Sequence, residues 1–421
     1  MFHVKQSDRD SGRGTSWVDA MPSLFHVKQW PGKRRRAGLL LALVAAVPLL
    51  VACDVADQPD GWAAPTLDPV EPETRLIAPT GEDQVVAVQL LDGNLGSAVW
   101  EFPDDDGNFP GLDGEIEPVA FYADPVWVES TDEWLLAGYS DGALYAVRRD
   151  GESARLVFDS EDRFVADLVV DGTRVYLADT GYRVYAVDIE QPGEAVWIWD
   201  GGSDLQIWGG PALVDTERGR LLIVAGLDGR ITAINVDGDL AGRSAWQIEI
   251  ESGIAGSIGA TDGLGFVGGL DRTLYGLDAA TGAQIWATEA SHWLWGTPLI
   301  RDGVIYTTDL RGNVYAIDAL TGARRWLQPF AVGDRIRAQP LYVEHESGES
   351  GILVIVARGG MIHQLNATDG SPLRQFQLEG AKDLMANAIL RDDRILVSDE
   401  DGVLYAVLLG ANQAVRLYPQ N

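Results

Sequence analysis

A repeated unit of about 40 residues runs through most of this chain and restricts its fold more than any other feature. The two clearest copies are adjacent, at residues 262–286 and 302–326, and each follows a short apolar segment. Both contain an Asp-Gly turn, an alternating strand, a second turn, a strand with the core Tyr-x-x-Asp, and a Thr-Gly turn before a tryptophan. Period-two alternation between Gly and Asp turns predicts an antiparallel meander of four strands.

Weaker copies keep the same order on both sides of this pair. Their third strands are predicted near residues 85–89, 143–147, 183–188, 230–235, 361–366 and 403–407. Fourth strands carry a tryptophan that we predict to pack between neighbouring units: Trp100, Trp197, Trp246, Trp286 and Trp326. Many short strands with regularly spaced aromatic residues are typical of radial all-β architectures.

The number of units depends on the segment Trp62–Leu67, which aligns with Trp208–Leu213 and Trp295–Leu299. If this segment is a first strand, the repeat gives eight complete four-stranded units between residues 62 and 419. We therefore predict an all-β protein folded as an eight-bladed β-propeller. A seven-bladed ring is the alternative if the segment is not a strand.

The pattern Ala-x-Asp-x-x-Thr-Gly-x-x-x-Trp stands almost intact at residues 276–286 and 316–326, with Gly276 in place of the first alanine. It resembles the PQQ-like propeller repeat, and the resemblance covers nearly the whole chain after residue 62. It implies a propeller, but that repeat occurs both in quinone-dependent dehydrogenases and in proteins without enzymatic activity.

The amino-terminal part has the layout of an export signal. The basic run Lys33–Arg36 precedes sixteen uncharged residues, Ala37–Ala52. That stretch is shorter than the roughly 20 residues of a membrane span, and Pro48 interrupts it. We interpret residues 1–52 as a leader and signal peptide.

A pentapeptide within the leader indicates where translation starts. Phe2–Gln6 recurs as Phe25–Gln29. We interpret both copies as DNA sites read through as protein, so that translation starts at Met21 or later and residues 1–20 are not translated. A duplicated leader is the alternative.

Cys53 is the one cysteine of the chain, and it ends the sequence Leu50-Val51-Ala52-Cys53. These residues resemble a bacterial lipobox, which implies that Cys53 is lipidated and anchors the protein to a membrane. Asp54 resembles the signal that retains some lipoproteins at the inner membrane. We expect the outer face of the cytoplasmic membrane, with the periplasmic face of the outer membrane as the alternative.

The residues that follow the anchor are rich in Asp, Glu and Pro, and residues 53–74 are predicted to form a solvated tether that overlaps the first strand. Residues 53–421 contain 24 basic and 60 acidic residues, a net charge of −36. This charge argues against nucleic acid as a partner, since phosphate would be repelled. A single cysteine excludes an intrachain disulfide and a cysteine-rich zinc site.

One acidic loop partly matches a calcium-binding template, with Asp104, Asp106, Asn108 and Glu115 at positions 1, 3, 5 and 12. Position 6 requires glycine for a sharp turn but holds Phe109, which favours a solvated loop instead. Quinoproteins of this fold resemble one another in a Ca²⁺ site and often in an adjacent cysteine pair, and this chain has no such pair. We therefore expect neither quinone nor Ca²⁺ as a cofactor.

Aromatic residues before two first strands form a candidate binding rim. Trp208 and Trp295 have the same phase, and His292 and Trp293 lie just before the second of them. Such a rim could hold a partner protein, although packing between blades is the alternative. An exported lipoprotein with this repeat resembles the BamB family of outer-membrane assembly subunits.

That resemblance implies a non-enzymatic scaffold that binds protein partners in the cell envelope, as a monomer or as a subunit of a complex. The alternatives are a quinone-dependent dehydrogenase and a ligand-sensing surface domain.

Overall fold

The computed structural model of the chain describes residues 63–72, 74–80, 83–90, 95–104, 106–112, 119–203, 205–344 and 351–419. These residues form eight antiparallel sheets, each built from four consecutive strands. The prediction of an eight-bladed β-propeller is confirmed, and the segment on which the count depends contains a short strand, Thr66–Leu67.

The first four blades contain strands β1 to β16. In chain order these are Thr66–Leu67, Arg75–Pro79, Val85–Gln89, Ala98–Phe102, Val126–Val128, Glu133–Ala137, Ala143–Arg148, Ala154–Asp159, Val169–Asp171, Arg174–Ala178, Arg183–Asp188, Ala195–Asp200, Ala212–Thr216, Gly219–Ala225, Arg230–Asn235 and Ser244–Glu249. A short 3₁₀ turn, Gly238–Leu240, connects the last two.

The last four blades contain strands β17 to β32. They are Gly259–Thr261, Leu264–Gly268, Thr273–Asp278, Gln284–Glu289, Leu299–Arg301, Val304–Thr308, Asn313–Asp318, Phe330–Ala331, Leu341–Val343, Ile352–Val356, Met361–Asn366, Pro372–Gln377, Ile389–Arg391, Arg394–Ser398, Leu404–Leu408 and Ala414–Tyr418. In every blade the first strand is hydrogen-bonded to the second, the second to the third and the third to the fourth.

Asp-Gly pairs form the tight turns between the first two strands of blades 5 and 6. Asp262 and Gly263 connect β17 to β18 with φ angles of 46° and 75°. Asp302 and Gly303 connect β21 to β22 with φ angles of 49° and 73°. Two successive residues with positive φ form a type I′ turn, whose twist matches that of the strands it connects.

Tryptophans at the fourth-strand position join four of the blades to the blade that follows. Four of them donate a hydrogen bond from Nε1 to a carbonyl oxygen of the following blade: Trp100 to Arg149 at 3.2 Å, Trp246 to Ala279 at 2.9 Å, Trp286 to Ala319 at 3.0 Å and Trp326 to Ala367 at 3.2 Å. Each of these indoles also covers a glycine with positive φ in that blade: Gly151, Gly282, Gly322 and Gly370. In blades 5 and 6 this glycine is that of the Thr-Gly pair, which is therefore the contact surface for the tryptophan of the blade before.

One of the predicted tryptophans departs from this hydrogen-bond pattern, and another keeps it but lies outside its predicted strand. Trp197 packs on Tyr176 with ring centroids 5.9 Å apart, but its buried Nε1 has no hydrogen-bond partner in the described part of the chain. Trp199 instead donates from Nε1 to Ser244 Oγ at 2.9 Å. Trp326 lies outside its fourth strand, which is only two residues long and follows Pro329, a residue without an N–H to donate.

Eight hydrophobic clusters fill the spaces between neighbouring blades. The cluster that closes the ring packs Leu396 and Leu404 of blade 8 against Leu76 and Val88 of blade 1. A hydrogen bond of 2.9 Å from the Tyr418 hydroxyl to Glu101 Oε1 joins the same two blades. Because every blade consists of consecutive strands, the ring closes through side chains.

The predicted leader (residues 1–52), Cys53, Asp54 and Trp62 lie outside the described residues. The first strand falls within the predicted tether of residues 53–74. In the described ranges, no helix is long and apolar enough to cross a membrane.

Candidate functional site

Eight short segments meet at one end of the central channel, each directly before the first strand of a blade. We call these stretches the mouth segments: 63–65, where the structure describes the second to fourth positions, and the four-residue segments 122–125, 165–168, 208–211, 255–258, 295–298, 337–340 and 385–388. Within them, the second residue is always Ala or Gly, whereas the first and third residues vary. Side chains at alternate positions of an extended segment point the same way, so the first and third positions face the channel.

The small residue at the second position is required by the close approach of neighbouring segments. A Cβ on Gly209 would lie 2.1 Å from the carbonyl oxygen of Gly256, and a Cβ on Gly256 would lie 2.2 Å from that of Trp295. A Cβ on Gly296 would be 2.8 Å from the carbonyl oxygen of Arg337. Around this part of the ring the backbones of successive blades are therefore in direct contact.

Side chains at the third position tie adjacent mouth segments together. They accept hydrogen bonds from the backbone N–H at the same position of the preceding blade: Ala64 N to Asp124 Oδ1 at 2.5 Å, Asp124 N to Asp167 Oδ1 at 3.1 Å, Gly210 N to Ser257 Oγ at 2.8 Å and Gln339 N to Asn387 Oδ1 at 2.7 Å. The polar lining of the channel mouth is therefore also part of the closure of the ring.

The mouth segments enclose a cavity of about 640 Å³, including its opening to solvent. Trp208 and Trp295 lie in its wall with ring centroids 5.8 Å apart. The Arg337 guanidinium lies 5.1 Å from the centre of the Trp295 ring, and its Nη1 is 3.4 Å from the sulfur of Met385. Trp208 and Trp295 come from blades 4 and 6, and the segment between them is small enough, Ala255-Gly256-Ser257, for the two indoles to meet.

Two carboxyl groups, Asp124 and Asp167, face the same cavity. Burial, and then the negative charge of Asp167, raise the pKa of Asp124 well above its usual range. Burial also raises the pKa of Asp167, against the opposing effect of the Asp124 N–H and the Ser257 hydroxyl. Burial lowers the pKa of Arg337, and the nearby charges of Arg358 and Arg335 lower it further.

The raised pKa of Asp124 should appear in the pH dependence of stability. A carboxyl with a raised pKa stabilises the fold below its unfolded pKa of about 4, and this contribution is lost as the pH rises through the folded pKa. Asp124→Asn keeps an oxygen for the Ala64 N–H but cannot ionise. We expect this variant to gain stability over the wild type between pH 4 and pH 8, by about 1.4 kcal/mol for each unit by which the pKa is raised.

Thermal unfolding of both proteins at pH 4 and pH 8 measures this gain. Asp302→Asn, on an exposed turn, is the control and should shift the curves equally at both pH values. A constant difference between Asp124→Asn and wild type across this range would contradict the prediction.

The structure separates the four residues of the predicted binding rim. Trp208 and Trp295 share the cavity, whereas His292 and Trp293 stack on each other with ring centroids 5.4 Å apart and are not among its described lining residues. Burial lowers the pKa of His292. The role of the rim in binding a partner stays a prediction.

Sequence reasoning missed Asp124, Asp167 and Arg337. Their mouth segments lack the tryptophan that makes 62–67, 208–213 and 295–299 recognisably alike. An alignment of all eight on the small second residue places these side chains in the positions that face the channel.

The acidic loop is folded on itself. Asp104 Oδ1 accepts hydrogen bonds from the N–H of Asp106 at 3.0 Å and of Asn108 at 2.7 Å. Phe109 packs on Phe102 with ring centroids 5.1 Å apart. Glu115 lies outside the described residues, and the described part of the chain holds no group of three or more His, Cys, Asp or Glu suited to a metal ion.

Comparison with known proteins identifies one family and one fold. A family model described as outer membrane protein assembly factor BamB matches residues 82–242, 228–331 and 311–413. No curated protein matches the sequence.

Many solved structures share the fold. One is the computationally designed protein Ika8, with a TM-score of 0.63 and 13% identity over 82% of this chain and 95% of that one. Another is BamB from Moraxella catarrhalis, with a TM-score of 0.60 and 17% identity over the same shares of the two chains. At these identities the structural likeness supports the fold alone.

Proposed function

Since the chain belongs to the PQQ_2 family, described as outer membrane protein assembly factor BamB, we propose that it is a non-enzymatic scaffold that binds protein partners in the cell envelope. Its proposed place is a subunit of an outer-membrane assembly complex. The family match over residues 82–413 is the observation on which this function depends.

The channel mouth is the surface that we propose for the partner. Trp208, Trp295 and Arg337 belong to the residue types that dominate binding energy at protein interfaces. They are partly exposed and lie together around one opening of the ring. A partner loop that entered this opening would bury all three.

The proposed anchor is the lipidated Cys53, which would hold the propeller at the membrane. Because of Asp54 we propose the outer face of the cytoplasmic membrane, with the periplasmic face of the outer membrane as the alternative. Replacing Cys53 with serine should release the protein from washed membranes into the soluble fraction, whereas retention in the membrane would contradict lipid anchoring.

Purification of the tagged, membrane-anchored protein tests the scaffold role. We expect a barrel-assembly protein to copurify in a fixed ratio, and the double variant Trp208→Ala/Trp295→Ala to lose it. Leu327→Ala is the matched control, since Leu327 is 96% exposed elsewhere on the ring. Absence of any barrel-assembly protein from the wild-type sample would contradict the proposed function.

We also propose that the protein works without a quinone or Ca²⁺. The single cysteine of the chain cannot form the adjacent cysteine pair of the dehydrogenases. Reconstitution with quinone and Ca²⁺ should give no dye reduction above the level of the protein alone. Turnover in that assay would contradict the non-enzymatic scaffold and support a quinone-dependent enzyme.

A further inference from the structure

The order of blades around the ring places opposite charges on opposite walls of the channel mouth. Asp167 belongs to the mouth segment of blade 3 and Arg337 to that of blade 7. In a ring of eight these blades are four steps apart in both directions, so the two side chains enter the cavity from opposite sides. Asp124, in blade 2, lies beside Asp167 and donates its N–H to that carboxylate.

Neither Arg337 on one side nor the two aspartates on the other has a partner of opposite charge among the described residues. Among the described residues, Arg337 forms no ion pair, and its contacts are the face of Trp295 and the sulfur of Met385. Asp124 and Asp167 each accept a backbone N–H, but neither has a cationic partner in the described part of the chain. A partly buried charge without a partner of opposite sign is costly, and it becomes favourable when a ligand supplies that partner.

The wall between these charges is aromatic. Blades 4 and 6 lie on the arc from blade 3 to blade 7, and they contribute Trp208 and Trp295. The two indoles lie side by side with ring centroids 5.8 Å apart, and the guanidinium lies over the second of them. This surface suits the carbon chain of a ligand whose two ends are charged.

We propose that the channel mouth binds a small zwitterion, with its ammonium group at Asp124 and Asp167, its carboxylate at Arg337 and its carbon chain against Trp208 and Trp295. Amino acids and very short peptides belong to this chemical class. Their net charge of zero also avoids the repulsion that this acidic protein would exert on an anion. This proposal does not rest on the scaffold function, and a partner loop in the same opening would compete with the zwitterion for Trp208, Trp295 and Arg337.

A series of ω-amino acids from glycine to 6-aminohexanoate, titrated calorimetrically into the full chain in detergent, tests the proposal. The charges in this series are separated by one to five carbon atoms, so affinity should peak at the length that spans the channel. Hexylamine and hexanoate carry one charge each and should bind at least tenfold more weakly than the best zwitterion. Equal binding of singly charged compounds, or no heat with any member, would overturn the proposal.

Variants test which protein groups bind the ammonium end and the carboxylate end of the ligand. Arg337→Gln and Asp167→Asn should each weaken the best zwitterion at least tenfold, and Arg337→Gln should leave hexylamine binding unchanged. Arg243→Gln, on the exposed outer edge of blade 4, is the matched control and should bind like the wild type. Unaltered zwitterion affinity in an Arg337→Gln protein that keeps the circular dichroism of the wild type would also refute the assignment.

Discussion

Replacing Trp286 with alanine is expected to lower the free energy of unfolding by about 3–5 kcal/mol. The indole is 8% exposed and lies between blades 5 and 6. It stacks on Phe266 with ring centroids 5.9 Å apart and donates from Nε1 to the Ala319 carbonyl oxygen at 3.0 Å. The truncation leaves a cavity between two sheets and an unpaired carbonyl group, so both losses add to the destabilisation.

Chemical denaturation monitored by circular dichroism measures this loss. Leu327→Ala is the control, because a side chain that is 96% exposed has almost no contacts to lose and should change stability by less than about 0.5 kcal/mol. If the two variants lost similar free energies of unfolding, the packing of Trp286 between blades would not contribute to stability.

Gly322→Ala should destabilise the protein by about 1–3 kcal/mol more than Gly303→Ala. Both glycines have positive φ angles, 70° and 73°, so both alanines would bear the same backbone strain. A Cβ on Gly322 would lie 2.6 Å from Cδ2 of Trp286, whereas a Cβ on Gly303 would meet nothing within 4 Å. The difference between these variants therefore isolates the contact between glycine and indole.

The double variant separates this contact from other causes. In the Trp286→Ala background the clash is absent, and Gly322→Ala should then cost no more than Gly303→Ala. Denaturation of the wild type, the three single variants and the double variant under one set of conditions provides the comparison. If Gly322→Ala still lowered the free energy of unfolding more than Gly303→Ala in the protein without the indole, Gly322 would be required for another reason.

The number of blades could be predicted because it depends on local signals. Asp262-Gly263 and Asp302-Gly303 form type I′ turns between alternating segments, and the Thr-Gly pairs of the two clearest copies each meet a tryptophan from the blade before. The strand in the segment Trp62–Leu67 could be predicted because this segment is similar in sequence to Trp208–Leu213. The departure at Trp326 is also local, since Pro329 cannot donate to the ladder.

The candidate site could be predicted only in part. The phase of Trp208 and Trp295 in the repeat places them on one rim, but His292 and Trp293 in the same stretch form a pair of their own. That the two tryptophans touch depends on the small segment Ala255–Ser257 between them, which belongs to a third blade. The pKa of Asp124 is raised by burial and then by the charge of Asp167, 43 positions away, so the shift follows from the closed ring and from no local pattern.

The ring closes between β32 and β1 without a peptide connection. The arrangement of the blades therefore does not depend on which strand comes first in the sequence. That boundary is held by side-chain packing and by the hydrogen bond from Tyr418 to Glu101, whereas the other seven also have a peptide connection. A circular permutant that joins β32 to β1 by a linker and opens the connection between β12 and β13 would keep all eight inter-blade contacts. In this sense the propeller behaves as a closed array of nearest-neighbour units, in which the position of the chain break is a free choice.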